Sequence, residues 1–270
     1  MDRIKHFSAV SQLETAFEDT LKSVTSGKEI DYIRAIASSF KKSLNPILKI
    51  INPSFTYTVK LKVIHQSPIV YFTSASKKKG CELGDLFLIY RETSGGVSKC
   101  QAMLLQAKRT NNIDSTNCSN QKQLELYTQW PRFKIGQKGK TTYDFFPKHE
   151  HPGAKYLLIS EENGTTTLWI ARPEKNLSSY QSFAKDVIDL TQFQTGMPLY
   201  LSRNHQNNGP TGLIISILTK DTQITTYDKQ PDLDTLLSSL KEESTIEGKD
   251  VKPTFFVVII DASTDNPTAD

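Results

Sequence analysis

The sequence predicts an α/β protein in which helices flank a mixed β-sheet. Residues 11–24 and 28–51 carry apolar side chains three or four positions apart, which is the spacing of amphipathic helices. Residues 54–71 alternate apolar and polar side chains, and several later runs are apolar over the length of a strand. Strands that alternate with helices in this way are typical of the α/β class.

Composition limits the class of protein further. The chain has 270 residues, 37% hydrophobic and 23% charged, enough for one elaborated domain or two small ones. No apolar run approaches the ~20 residues of a membrane span, and the N-terminus lacks a signal-peptide core, so we expect a cytoplasmic protein that does not contact membranes. Cys81, Cys100 and Cys118 form no CxxC pair, which argues against a zinc cluster and a disulfide framework. The net charge of +4 is compatible with nucleic-acid binding.

The N-terminal elements are predicted to be two helices. The first covers residues 11–24, and the second covers residues 28–51 with a kink or interruption at Pro46. Glu29 and Asp31 lie at the start of the second helix, where the helix dipole favours acids. Asp31 is a candidate for a functional acid, and an acid placed there only by the helix dipole is the alternative interpretation.

The next segment is predicted to be a strand followed by a turn at residues 65–68 and a second short strand at residues 69–72. A basic loop at residues 76–80 follows, containing Lys77, Lys78 and Lys79. Such a triplet is either a solvated loop or a contact for a phosphate backbone.

Residues 81–109 are predicted to form a β-hairpin, with the polar residues 91–99 between two apolar runs. Because side chains alternate along a strand, Leu104, Gln106 and Lys108 share one face. Both faces of this strand begin apolar, so we expect it to be buried on both sides. A buried strand that ends in an amide and an ammonium, next to a strand carrying Asp85, needs a reason for these polar groups.

A metal site for phosphodiester cleavage supplies that reason. Asp85 and Gln106 offer side-chain oxygens, and a neighbouring backbone carbonyl can complete the ligands for Mg²⁺ or Mn²⁺. Lys108 would then help to orient the nucleophile or neutralise charge on the phosphate. The competing interpretation is that Asp85 caps a turn and Lys108 extends from a strand end into solvent.

An Asp, a hairpin and then Gln-x-Lys resembles the PD-(D/E)XK nuclease superfamily, in the D…QxK variety of Mrr-like restriction enzymes and anti-phage effector nucleases. The resemblance covers roughly residues 28–160 and rests on a short motif. It implies a restriction-endonuclease-like αβββαβ core, with a mixed sheet flanked by helices and with C-terminal α/β additions. It also implies DNA as the substrate, with RNA as the alternative, and a role in prokaryotic defence. Gln106 stands where Glu is commoner, which weakens cation binding.

Two further residues are candidates for the same site. Glu82 lies three positions before Asp85 and faces away from it on an ideal strand, unless Gly84 marks a bulge that re-aims one acid. Exposure at the surface is the alternative for Glu82. The resemblance implies that the helix predicted at residues 121–130 points a polar side chain at the site, and Gln123 is the candidate, with Tyr127 behind it.

Basic residues around the hairpin are candidates for contacts with a nucleic-acid backbone. Residues 134–140 are Gly-rich and basic and are predicted to form a mobile loop. The candidate contacts are Lys77, Lys78, Lys79, Arg109, Lys134, Lys138 and Lys140.

The remaining sequence predicts further α/β structure. A hairpin joins residues 156–160 to residues 165–171 through an Asn-Gly turn. Further predicted elements are a helix at 177–190, a strand at 212–218, a helix at 233–240 and a strand at 254–260. The expected domains are a helix at 1–27, a nuclease-like core at 28–172, an extension of the same sheet or an accessory lobe at 173–261, and a disordered tail at 262–270. His149 and His151 are a pair of metal-ligand type but lack a third partner at familiar spacing.

Taken together, these features favour a metal-dependent nuclease acting through Asp85, Gln106 and Lys108. The alternatives are a nuclease-like module that binds nucleic acid or protein without cleavage, and an interaction module with a chance Gln-x-Lys. Besides DNA, the expected partners are a defence protein or a second copy of the chain.

Overall fold

The structure is a computed structural model of the chain. It describes residues 2–25, 27–64, 67–74, 77–146, 148, 153–162, 164–201, 208–220, 232–240 and 255–264, with the side chains of residues 74, 77–79 and 220 outside the description. This part of the chain is an α/β fold with a mixed sheet flanked by helices, as the sequence predicts.

The described helices cover both faces of the main sheet. They are α1 (Arg3–Leu21), α2 (Glu29–Ile51), α3 (Gln121–Gln129), α4 (Phe183–Leu190), α5 (Pro210–Lys220) and α6 (Leu233–Ser239). The strands in the first half of the chain are β1 (Thr56–Ile64), β2 (Ile69–Ser74), β3 (Lys77–Glu82), β4 (Leu86–Ser94), β5 (Val97–Thr110), β6 (Thr116–Asn117) and β7 (Phe133–Ile135). The later strands are β8 (Ala154–Glu162), β9 (Thr165–Ala171), β10 (Asn176–Leu177), β11 (Ser179–Ser182), β12 (Met197–Leu199) and β13 (Phe255–Ser263).

The main sheet has eight strands within the described residues. Its order is β1-β13-β4-β5-β8-β9-β11, and β12 pairs with the turn-proximal part of β5. The β13–β4 and β5–β8 pairs are parallel, whereas the other pairs are antiparallel. A separate three-stranded sheet, β3-β2-β7, contributes to the core on one side of the main sheet.

Two apolar cores sandwich the main sheet. One lies under α1, α2 and α4, and the other lies under α3, the small sheet, α5 and α6. Strand β5 contributes to both, with Leu104 in one core and Leu105 in the other. The prediction of a strand buried on both faces is therefore confirmed, and its polar end at Gln106 and Lys108 is set in a rigid element.

Several predicted elements agree with the structure. The predicted hairpin is present as β4 and β5, residues 86–110, whereas residues 81 and 82 belong to β3. Its turn is only Gly95-Gly96, both with positive φ, as a two-residue hairpin turn requires. The hairpin of β8 and β9 and the helices α3 and α6 are also present. The second predicted helix is also present, but the interruption predicted at Pro46 is absent: α2 continues through it because buried side chains such as Phe40, Leu44 and Leu48 hold both of its halves against the sheet.

Other element predictions are wrong. Residues 212–218 lie in helix α5 and not in a strand; a short, wholly apolar run does not distinguish a buried helix from a strand. The predicted helix at 177–190 is helical only from Phe183, because β10 and β11 come first. The predicted basic loop at 76–80 is largely strand β3, since Lys77, Lys78 and Lys79 pair with β2.

The ends of the chain also differ from expectation. Helix α1 begins at Arg3, where the Asp2 carboxylate accepts a hydrogen bond from the Ile4 N–H at 3.0 Å, and not near residue 11. Ala262 and Ser263 belong to β13, and residues 265–270 lie outside the described part of the chain. The pair His149 and His151 also lies outside it. None of the helices described is long and apolar enough to span a membrane.

Candidate active site

Backbone pairing fixes Asp85 at the start of β4. Its N–H donates to the Leu105 carbonyl at 2.9 Å, and its carbonyl accepts from the Phe256 N–H at 3.0 Å. The residue is thus held between β5 and β13, the two neighbours of β4. This clamp places the Asp85 carboxylate beside the polar end of β5.

Gly84 allows the chain to approach that position. A Cβ atom there would lie 2.8 Å from Leu104 Cδ1, 2.9 Å from the Tyr127 hydroxyl and 3.0 Å from the Leu105 carbonyl oxygen. The Tyr127 hydroxyl donates to the Leu83 carbonyl at 2.7 Å, which ties α3 to the same segment. Strand β4 begins after this segment, at Leu86, so Glu82 and Asp85 are not related by regular strand alternation.

We expect Gly84→Ala to destabilise the fold by about 1–3 kcal/mol, because the methyl group would overlap Leu104 Cδ1 and the Tyr127 hydroxyl and lie tightly against the Leu105 carbonyl. Chemical denaturation of the two proteins measures this difference. Gly95→Asn is the matched control, since the turn has open space and asparagine tolerates positive φ. Equal stability of Gly84→Ala and the parent protein would contradict the close approach.

A chain of hydrogen bonds links Asp85 to helix α3. The Gln106 side-chain amide donates to Asp85 Oδ2, and the Ala107 N–H donates to the same oxygen at 2.7 Å. The Gln123 amide in turn donates to Gln106 Oε1 and to the Glu82 carbonyl, the latter at 3.3 Å. Gln106 and Gln123 are both buried. The structure therefore brings together three of the predicted residues, Asp85, Gln106 and Gln123.

The Asp85 carboxyl is electrostatically unusual. Burial raises its pKa to about 7, against the hydrogen bond from Ala107 and the charge of Lys108, which both lower it. The charges of Glu82 and Glu29 raise it further. A carboxylate with this surplus of negative charge around it is stabilised by any cation placed beside it.

Glu29 is a site residue that the sequence did not single out. Its Oε1 accepts a hydrogen bond from the Arg109 N–H at 2.9 Å, one residue beyond Lys108. Asp31, the alternative candidate of the same turn, forms an ion pair with Arg34 at 2.7 Å. Glu29 lies 80 positions from Arg109, so spacing along the chain gave no signal for this contact. The one available signal was its place in the first turn of α2.

Lys108 lies on β5 next to this cluster. It is partly buried, and its charge acts on the Asp85 carboxyl. Arg109 points elsewhere, because its guanidinium donates to Glu161 at 2.7 Å and to the Gly27 carbonyl. Arg109 thus joins the start of α2 to β8, and its contact with nucleic acid stays a prediction.

The other predicted basic contacts follow the small sheet. Lys134 on β7 is exposed, and its backbone pairs with that of Tyr71 on β2. Lys138 and Lys140 are exposed just beyond β7. The backbone of Lys77, Lys78 and Lys79 forms β3, which ends at Glu82. Since a strand advances about 3.3 Å per residue, Lys79 lies roughly 10 Å along the strand from Glu82. The small sheet therefore connects the basic segment to the candidate site.

The oxygen atoms here fit a hard divalent cation. Gln106 Nε2 faces both Asp85 Oδ2 and the Ala107 carbonyl, the latter at 3.5 Å, so two acceptors converge on one position. A carboxylate, a main-chain carbonyl and an amide oxygen are the donor types that Mg²⁺ takes. No three His, Cys, Asp or Glu side chains cluster as metal ligands in the described ranges, so this donor set has few charges.

No match to known proteins was found. The chain matches no family model, and neither the curated proteins nor the solved structures gave a significant match. The assignment of this site therefore depends on its own geometry and chemistry.

Proposed function

We propose that this protein is a nuclease, dependent on Mg²⁺ or Mn²⁺, that hydrolyses phosphodiester bonds in DNA and has a restriction-endonuclease-like core. The observation that carries the proposal is the convergence of Asp85 and Gln106 beside the Ala107 carbonyl, with Lys108 acting on the same carboxyl. The element order supports it, since α2, β1, the β4–β5 hairpin, α3 and β8 occur in this order along the chain, with shorter strands between them, and β8 is parallel to β5. A role in prokaryotic defence follows from the resemblance alone.

The cation would be held by the Asp85 carboxylate, the Gln106 amide oxygen and the Ala107 carbonyl, with Glu82 as a further acid. When bound, it supplies Lewis-acid chemistry that polarises the scissile phosphate and makes water more acidic. The amide of Gln106 offers its oxygen to the cation after rotation by half a turn, which leaves its outline unchanged. Because Gln123 Nε2 donates to Gln106 Oε1, the Gln123 amide would have to rotate as well, so that its oxygen accepts from the rotated Gln106 amide.

The chain's own groups would do the remaining work. Lys108 Nζ would neutralise the charge that grows on the phosphate and orient the attacking water. The lysines along β3 and β7 would hold the DNA backbone by charge, without reading its sequence. Glu29 would fix the backbone of β5 just beyond Lys108 through its bond to the Arg109 N–H.

Incubation with supercoiled plasmid in Mg²⁺ or Mn²⁺ tests the proposal. We expect nicked and linear products with either metal, and no products with a chelator or with Asp85→Ala. Single-stranded DNA and RNA substrates, assayed in parallel, define the nucleic acid that is cut. The proposal fails if no substrate is cut in either metal while Asp85→Ala and the parent protein bind cations equally.

A second candidate is a nuclease-like module that binds nucleic acid or a protein partner without cutting. It is favoured by one observation, namely that Asp85, Gln106 and Gln123 satisfy one another through hydrogen bonds without any cation. Salt-dependent DNA binding without cleavage in any divalent metal would support this candidate.

We expect Gln106→Glu to strengthen cation binding. The substitution replaces an amide donor to Asp85 with a second carboxylate, so the two acids repel until a cation lies between them. The variant should be less stable than the parent in chelator, gain more from Mg²⁺, and cut DNA at lower Mg²⁺ concentration. Thermal melts and cleavage rates across a Mg²⁺ titration measure both effects. An unchanged Mg²⁺ requirement would show that residue 106 is not a ligand.

A further inference from the structure

Two buried side chains beside Asp85, Gln106 and Gln123, form a hydrogen-bonded unit that we call the amide pair. The Gln123 amide nitrogen donates to Gln106 Oε1 and to the Glu82 carbonyl, the latter at 3.3 Å. The Gln106 amide nitrogen donates to Asp85 Oδ2. The amide pair therefore donates to an acceptor at each of its two ends, the Asp85 carboxylate and the Glu82 carbonyl.

The groups at the two ends fix the orientation of both amides. Asp85 Oδ2 also accepts from the Ala107 N–H at 2.7 Å, so this oxygen is an acceptor, and the Glu82 carbonyl can only accept. An amide oxygen placed against either group would face another oxygen without a proton between them. Each end therefore requires an amide nitrogen, which leaves the Gln106 oxygen to accept from Gln123.

This orientation opposes the binding of a cation. The Gln106 nitrogen lies against Asp85 Oδ2 and 3.5 Å from the Ala107 carbonyl oxygen, in the position proposed for the cation. When Gln106 rotates to offer its oxygen instead, its nitrogen turns towards Gln123, and Gln123 rotates to accept from it. The Gln123 oxygen then faces the Glu82 carbonyl oxygen across the present 3.3 Å, and that carbonyl loses its side-chain donor. Cation binding therefore replaces a favourable contact at Glu82 with a repulsive one.

Helix α3 also restrains the Glu82 carbonyl from moving away. Tyr127 lies one turn beyond Gln123 on this helix, and its hydroxyl donates to the Leu83 carbonyl at 2.7 Å. The helix thus holds two consecutive carbonyls of the segment that leads to Asp85, through Gln123 and Tyr127. Because the second of these bonds does not depend on the amide orientation, the segment stays in place when Gln123 rotates.

We propose that Gln123 restricts cation binding: anchored on the Glu82 carbonyl, it holds Gln106 in the orientation that excludes Mg²⁺ from Asp85. The inference rests on the proposed function, because it concerns the same cation. Gln106 and Gln123 keep a hydrogen bond to each other in either orientation, so the bond to Glu82 is the one that opposes Mg²⁺. Gln123 is thus a positioning residue that acts through Gln106 and is not itself a ligand.

Gln123→Met tests the proposal, because methionine has a similar size and donates no hydrogen bond. In this variant the Glu82 carbonyl no longer has a side-chain donor to lose when Gln106 rotates. We therefore expect Mg²⁺ to bind about tenfold more tightly than to the parent protein, which corresponds to about 1.4 kcal/mol. The variant should also be less stable in chelator, since Gln106 Oε1 and the Glu82 carbonyl each lose a donor. Calorimetric titration with Mg²⁺ and thermal melts in chelator measure the two effects.

Gln121→Met is the matched control. Gln121 lies on the same helix, and its amide also donates to a backbone carbonyl, that of Cys118 at 3.0 Å, so its loss should leave Mg²⁺ affinity unchanged. A residue that only supports the site would weaken Mg²⁺ binding when substituted, so the sign of the change separates the two roles. If the parent protein binds Mg²⁺ and Gln123→Met binds it equally or more weakly, this proposal alone is overturned. If neither protein binds Mg²⁺, the proposed function fails with it.

NMR of the parent protein tests the same rotation without a variant. Saturating Mg²⁺ should shift the side-chain amide signals of Gln106 and Gln123 and the carbonyl carbon signal of Glu82. The side-chain amide signal of Gln121 should stay in place, since its bond lies outside the amide pair. Mg²⁺ binding that leaves the Gln123 and Glu82 signals unchanged overturns the proposal, and this result decides if Gln123→Met does not fold.

Discussion

Lys108→Ala is expected to slow DNA cleavage by roughly 10²- to 10³-fold under single-turnover conditions, which is the usual loss when one group that stabilises transition-state charge is removed. The substitution removes the ammonium whose charge acts on the Asp85 carboxyl but leaves Asp85, Gln106 and the Ala107 carbonyl in place. Cation and DNA binding should therefore change little. Rapid-quench cleavage assays measure the rate, and calorimetry with Mg²⁺ measures cation binding.

Lys99→Ala is the matched control for this prediction. Lys99 lies on the same strand, β5, but at its exposed end near the Gly95-Gly96 turn, far from Asp85. Its loss should leave the cleavage rate unchanged. If Lys108→Ala cleaves as fast as Lys99→Ala and the parent protein, Lys108 has no role in the chemistry.

The central hairpin was predictable because its signals are local. Two apolar runs flank a glycine pair, and the alternation of side chains along β5 is enough to assign Gln106 and Lys108 to one face. The resemblance alone implied that Gln123 points at the site, and in the structure its amide contacts Gln106. Where neighbouring residues determine the outcome, the sequence is sufficient.

The rest depends on contacts between distant segments. The apolar run at residues 255–260 predicts a buried strand, but its insertion between β1 and β4 is decided by pairing across more than 160 residues. Residues 212–218 are apolar throughout and give no period to separate helix from strand. Glu29 joins the site only because Arg109 bridges α2 and β5. Such long-range contacts leave no periodic trace in the chain.

Asp85 also makes stability depend on pH. Its pKa is about 7 in the folded protein, against an ordinary value of 3.8, so the folded state holds this proton more tightly than the unfolded state does. Between about pH 4 and 7 the unfolded state ionises first, and this group's contribution to stability falls as pH rises. Above pH 7 the full penalty is present. The gap corresponds to roughly 4 kcal/mol as an upper limit.

Asp85→Asn is therefore expected to stabilise the protein in chelator at pH 8, by roughly 2–4 kcal/mol, and to have little effect near pH 4. A bound cation favours the ionised carboxyl, so Mg²⁺ at ten times its dissociation constant should stabilise the parent protein by about 1.4 kcal/mol at pH 8 and much less at pH 5.5, where protons compete. Asp85→Asn should lose this response.

Asp144→Asn is the control, and its effect on stability should have the opposite sign, because Lys148 and Arg132 lower the pKa of Asp144. Denaturation in chelator at pH 4 and 8, and with and without Mg²⁺ at pH 5.5 and 8, measures these differences. The cation hypothesis fails if Mg²⁺ leaves the stability of the parent protein unchanged at pH 8 while Asp85→Asn is stabilised as expected. The Asp85 carboxyl would then be buried without binding a cation.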